Sequence, residues 1–213
     1  MVTFRFILIT ALITASPAAA ESLEGMGRIS VVGGYKWTPN WYFESRAAAQ
    51  GSPLISRTPG IQGSASFGYG VSSWAEVAVD LFGAWETFAL EGYQPFSSTI
   101  YGALLGVRIA KLDFLVRGLV PYLQAQVGPS VAQIASTSVA SSERVLMGIS
   151  VSGGLTWRFA ERFGITLEAR YLQARLSVPE ISGANVGGLF ASIGVTMFFP
   201  GSLERKDLSV PGF

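Results

Sequence analysis

Phe163-Gly-Ile-Thr-Leu-Glu-Ala-Arg-Tyr171 decides how this chain folds. Its odd positions, Phe163, Ile165, Leu167, Ala169 and Tyr171, are apolar. Its even positions, Gly164, Thr166, Glu168 and Arg170, are small, hydroxylic or charged. Successive side chains of a strand point to opposite faces, so a period of two predicts a strand with one apolar and one ionic face. The same residues on a helix would scatter around its axis.

The pattern recurs outward from this segment. Ile61 to Val71 sets Ile61, Ala65, Phe67, Tyr69 and Val71 against Gln62, Ser64, Ser66, Gly68 and Gly70. Trp74 to Trp85 opposes Ala75, Val77, Val79, Leu81 and Trp85 to Glu76, Ala78, Asp80, Phe82 and Ala84. Similar runs occupy residues 28–37, 100–109, 119–128, 145–158 and 188–199, which makes eight strands. No odd position in any of these runs is charged. The opposite face carries Arg28, Lys36, Glu76, Asp80, Arg108, Arg158, Glu168 and Arg170 among many Ser, Thr, Gln and Gly.

A soluble sandwich hides its apolar face between two sheets, whereas a transmembrane barrel turns that face to lipid and the polar one to its lumen. Aromatic placement and loop length separate the two. Tyr35, Trp37, Trp85, Tyr101 and Tyr171 fall at one set of strand ends; Phe67, Tyr69, Trp74, Trp157, Phe163 and Phe199 fall at the other. Barrels set such girdles at both membrane interfaces. Short connections at 72–73, 110–117 and 160–162 alternate with long ones at 38–60, 86–98, 132–144 and 173–186. The expected fold is therefore all-β, an eight-stranded antiparallel transmembrane β-barrel with short periplasmic turns and long external loops. The Ser-rich run Ala132 to Ser142 reads as exposed loop. Ala103 to Leu123 is the least regular stretch: Arg108, Lys111, Asp113 and Arg117 recur at helical spacing, and Pro121 disfavours a central strand.

The chain has 213 residues, 49% hydrophobic and 14% charged, with 25 Gly, no Cys and no His. Without Cys there are no disulfides, thiolate metal sites or thiol nucleophiles. Without His the usual general base and the commonest metal ligand are missing. Fifteen basic residues face fourteen acidic ones, which argues against nucleic acid as a partner. Arg5 precedes the apolar run Phe6 to Thr14, and Ala18-Ala19-Ala20 follows. This is the pattern of an export signal, and its apolar run is shorter than the roughly 20 residues of a spanning helix. The expected organisation is a cleaved leader over 1–20, a barrel domain over 21–199 and a short periplasmic tail over 200–213, charged at Glu204, Arg205, Lys206 and Asp207.

The last strand, Ser192-Ile-Gly-Val-Thr-Met-Phe-Phe199, and the hairpin Gly153 to Tyr171 resemble those of the small outer-membrane β-barrels, of the outer membrane protein A and X transmembrane-domain type. The resemblance spans residues 25–199. It implies export through the periplasm to the cell outer membrane, with the barrel-insertion machinery, outer-membrane lipids and lipopolysaccharide as partners. Ser192, Gly194, Met197 and Phe199 match the family's assembly signal, with Met where an aromatic is commoner. Enzymes of this class resemble one another in using a His near the outer rim, which this chain lacks, so it is not expected to be an enzyme or to hold a cofactor or metal.

Arg28, Glu76, Asp80, Arg108, Arg158, Glu168 and Arg170 are the candidate lumen ion network. Eight strands leave a bore just wide enough for side chains, and unpaired charges there would be costly. Trp41, Tyr42 and Phe43 in loop 38–60 read as lipid-surface anchors, or alternatively as a site for an extracellular ligand. Three functions fit: a structural barrel with a plugged lumen, a loop-mediated binding protein or adhesin, and a small porin. The structural barrel is the leading expectation.

Overall fold

The computed structural model describes residues 22–38, 54–90, 95–112, 114, 116–136, 139–176 and 184–199. The leader, the tail and Trp41, Tyr42 and Phe43 lie outside them. The described residues form nine strands: β1 Gly27–Trp37, β2 Leu54–Gly70, β3 Ala75–Leu90, β4 Phe96–Ala110, β5 Leu119–Ser136, β6 Val139–Arg158, β7 Phe163–Leu176, β8 Ala184–Asn185 and β9 Gly188–Phe199. Every pairing is antiparallel, and two pairings close the ring, β1 with β9 and β7 with β9. Strand β8 continues β9 in the same register on β7, since Arg175 opposes Asn185 as Leu172 opposes Gly188. Eight long strands thus make one closed barrel.

Register transmits the odd–even pattern around the ring. Ile29 opposes Phe67 and Met197, Val79 opposes Phe67 and Leu105, and Leu167 opposes Leu155 and Ile193. Within the membrane band odd residues meet odd residues at every seam, so one apolar face runs unbroken around the outside. The exposed large apolar side chains within the strands all carry odd numbers; Trp74, Val116 and Phe159 lie in the turns. Even positions fill the interior.

The strands run further than alternation predicted. Residues 54–60, 86–90, 96–98, 132–136, 139–144 and 173–176 belong to strands, not to long loops. Of the run Ala132 to Ser142, expected as an exposed loop, residues 132–136 end β5 and residues 139–142 begin β6, where Ala132 opposes Arg144 and Ile134 opposes Ser142. Two physical reasons account for the shortfall. Beyond the aromatic girdle the outer face carries Ser, Thr and Gln, so the contrast between faces fades. In β2 a register shift between Thr58 and Ile61 changes the parity of the pairing, as a bulge does.

The 103–123 stretch forms the expected strand pair joined by residues 111–118. Pro121 sits in β5, and its carbonyl accepts from Lys111 N at 3.2 Å. In an antiparallel ladder a residue's nitrogen and carbonyl face the same neighbour. The missing donor of Pro121 therefore faces β4 just past the last pair, Ala110 with Tyr122, and costs no ladder bond.

Leu167 lies on the outer face in the middle of β7, 53% exposed. Leu167→Arg should destabilise the protein by about 2–4 kcal/mol, as cations do on the lipid face of a barrel, while Leu167→Phe should be close to neutral. Urea unfolding in phospholipid vesicles measures both; equal tolerance would mean that this face does not meet lipid.

Candidate functional site

The interior is layered along the barrel axis. At the end bearing the short turns, where β1 begins and β9 ends, Leu23, Ala110, Leu112, Val120 and Tyr122 cluster, with Met26 packed against them. Above them lies a charged layer. Nearer the loops, Phe82, Ala84, Ile100, Leu104, Ala132, Leu172, Ala174, Val186 and Phe190 form an apolar layer. A buried ion pair tops the bore.

The charged layer divides into two triads of opposite sign. Arg28 Nε donates to Glu76 Oε2 at 2.9 Å, and Arg108 Nε lies 3.8 Å from the same oxygen. Two cations share one carboxylate, leaving one net positive charge. Arg28 Nη1 also donates to Ser30 Oγ at 2.7 Å and Ser66 Oγ at 3.0 Å. In the second triad Arg170 Nε donates to Glu168 Oε1 at 2.9 Å, and its Nη2 bonds Asp80 Oδ2. One cation between two carboxylates leaves one net negative charge. The triads therefore compensate each other.

Tyr122 joins them. Its ring lies under the Arg108 guanidinium, 3.5 Å from Cζ to the ring centre, and its hydroxyl donates to Glu168 Oε2 at 2.8 Å. Gln124 Nε2 donates to Asp80 Oδ2 at 3.1 Å. Ser30, Thr196, Thr166 and Thr156 add a row of hydroxyl contacts at 2.7, 2.5 and 2.9 Å. Glycine makes the room. A Cβ at Gly68 would lie 2.7 Å from Glu76 Oε2 and 2.9 Å from Arg28 Nη2, and one at Gly154 would lie 2.7 Å from the Tyr122 hydroxyl.

Six of the seven expected network residues meet here. Arg158 sits apart at the turn end, only half-buried, donating to the Glu161 carbonyl at 3.0 Å and lying 5.2 Å from the Phe198 ring centre. Sequence reasoning missed Glu86, assigned to a loop although it continues the even series of Glu76 and Asp80. Lys36 Nζ lies 2.6 Å from Glu86 Oε1 and donates to the Val186 carbonyl at 2.8 Å, while Thr38 Oγ1 bonds Glu86 as well. It also missed Tyr122 as the link between triads. Ser192 faces the bore and accepts from Gln62; Met197 pairs with Ile29 and Phe163, and Phe199 with Gly27, at the seam that closes the ring.

No family model matches the chain, and no curated protein does. Solved structures do. The outer membrane protein OprG from Pseudomonas aeruginosa superposes with a TM-score of 0.57 at 11% identity, over 84% of this chain and 98% of that one. Neisserial surface protein A superposes with a TM-score of 0.54 at 16% identity, over 83% of this chain and 98% of that one. The fold is that of the small outer-membrane β-barrels. At such identities the likeness concerns architecture, and what the bore does must be argued from its own residues. Among the described residues no group of three His, Cys, Asp or Glu is placed to hold a metal.

Removing one member of a buried ion cluster strands its partners, at about 3–5 kcal/mol. Glu76→Ala, which leaves Arg28 and Arg108 without their shared carboxylate, should therefore cost about that much in vesicle unfolding. Arg158→Ala, at the rim, should cost less than about 1 kcal/mol. Comparable losses at both positions would mean that the triad is not the buried unit described.

Proposed function

We propose that this chain is a structural protein of the cell outer membrane, whose barrel supports membrane integrity and displays its loops while its own side chains close the bore. The observation that carries the reading is the pairing inside: cations and carboxylates compensate one another, and apolar layers stand on both sides of the two triads. A conduit for ions or polar solutes needs a continuous wet path. Here Phe82, Ile100, Leu104, Leu172 and Phe190, each less than one-tenth exposed, cross the loop half of the bore. The outer band of Val79, Leu105, Ile149 and Leu167 suits lipid, and the girdles suit headgroups.

On this reading the chain is exported through the periplasm and seated by the barrel-insertion machinery, with Ser192, Gly194, Met197 and Phe199 as the recognised strand. Outer-membrane lipids and lipopolysaccharide are its partners. It performs no chemistry of its own: the buried carboxylates are bonded to arginines, a lysine and a tyrosine, and no His is present to activate a hydroxyl.

Purified wild-type protein in planar bilayers should show no steady conductance, because a bore filled by side chains admits no continuous water column. A large, reproducible channel in every successful insertion would replace the structural reading with a small porin.

A further inference from the structure

Residues 22–26 do something that strand periodicity does not require. Strand β1 is flanked by β2 and β9, and β5 lies on the far side of the ring. Yet Leu23, four residues before β1, is 1% exposed and packs with Ala110 of β4, Val120 and Tyr122 of β5, and Leu112 of the connection between them. The chain crosses the mouth to get there. Gly25 N donates to the Gly70 carbonyl at 2.8 Å, Gly70 N donates to the Met26 carbonyl at 2.9 Å, and Met26 N donates to the Leu23 carbonyl at 2.9 Å. Gly25 takes a φ of 73°, which turns the chain inward.

The charged layer just above explains why this matters. Arg28 and Glu76 are each the second residue of their strands, and Arg108 is the third from the end of β4, yet all three are 1–3% exposed. Charges so near the end of a barrel would ordinarily meet water. Leu23, Met26, Leu112 and Val120 stand between them and the solvent. Among the described residues Arg28 Nη2 and Arg108 Nη2 donate to no acceptor, and this triad carries the net positive charge.

We propose that residues 22–26 are a detachable cork, and that lifting it opens a shallow vestibule that favours small anions. The inference rests on the closed-bore reading and adds to it a movable seal at the turn end. Among the described residues the segment has few anchors, two backbone hydrogen bonds to Gly70 and one buried leucine, so it belongs to the least stable part of the fold. It also precedes β1 and joins no two of the described strands, so it can leave without displacing a hairpin. The apolar layer nearer the loops remains in place when it leaves, so the vestibule is a blind pocket. Its first charged group is the Arg28–Glu76–Arg108 triad, whose unbound guanidinium hydrogens suit a chloride, a phosphate or a small sulfonate.

The chain has no Cys, which permits a direct test with single thiols in the detergent-folded, full barrel. Val120→Cys reports the vestibule and Leu104→Cys the apolar layer. Each is treated with an anionic methanethiosulfonate (the ethylsulfonate) and with its cationic trimethylammonium counterpart, in the background of the intact segment, of Leu23→Gly and of a deletion of residues 22–26. Heat-modifiable mobility confirms folding of every variant. With the segment intact neither thiol should react in the time that modifies a free thiol fully. With Leu23→Gly or the deletion, Val120→Cys should react and Leu104→Cys should not. The anionic reagent should be favoured about fivefold after each rate is divided by that with a free small thiol, as expected for one unit charge roughly 8 Å away in water. Reaction of Val120→Cys behind the intact segment, or its protection after the deletion, overturns the cork. Equal normalised rates for the two reagents overturn the anion preference. Reaction of Leu104→Cys in the intact chain would instead refute the closed-bore reading on which the cork rests.

Discussion

Every backbone N–H and C=O that faces lipid must find a partner within the protein, because hydrocarbon offers none. A sheet meets that demand only by closing on itself, and in this chain closure falls on β9, which pairs with both β1 and β7. The rest of the architecture depends on it. Closure requires each register to be compatible with the next, and each one keeps odd residues opposite odd residues through the membrane band. A one-residue slip at any seam would turn Val, Leu and Ile inward and carry Glu76, Asp80 or Arg170 into lipid. The ionic face thus penalises wrong registers as well as filling the bore.

Eight strands also set the width, and the width sets the chemistry. A bore just wide enough for side chains holds little water to solvate ions, so charges are tolerated there only when they are paired. The chain solves this with two triads of opposite sign joined through Tyr122, and with a separate pair, Lys36 and Glu86, near the loops. Buried ion pairs of this kind contribute little net stability against an apolar alternative, but they resist the loss of any one member. Position, more than strength, is what they supply. The apolar layer of Phe82, Ile100, Leu104 and Phe190 separates the triads from the upper pair.

Within the membrane band the architecture was legible in the sequence, because lipid outside and ions inside impose opposite chemistries on alternate residues. Phe163 to Tyr171 carries that contrast in nine positions. Legibility ended where the lipid does. Thr87, Ser97 and Thr99 pair in the sheet, yet their outward faces meet water and lose the apolar signature, which is how Glu86 came to be read as a loop residue. Six network residues could be assigned to the lumen by parity alone, but which cation meets which carboxylate depends on stagger around the ring and is invisible in one dimension. Leu23 was missed for a different reason. A single buried leucine in a non-repeating segment has no period to betray it, and only the closed ring shows that it crosses from one side to the other.

The inside-out arrangement is tested most directly by methyl nuclear Overhauser spectroscopy on the protein in lipid nanodiscs, which perturbs no side chain. Methyls of Val79, Leu105, Ile149 and Leu167 should show contacts to the acyl chains. Those of Ile100, Leu104 and Leu172 should show contacts to other protein methyls and rings, but neither to lipid nor to water. Water contacts at Ile100 and Leu104 would mean an open bore, and the absence of acyl contacts at the four odd-numbered residues would contradict the transmembrane barrel itself.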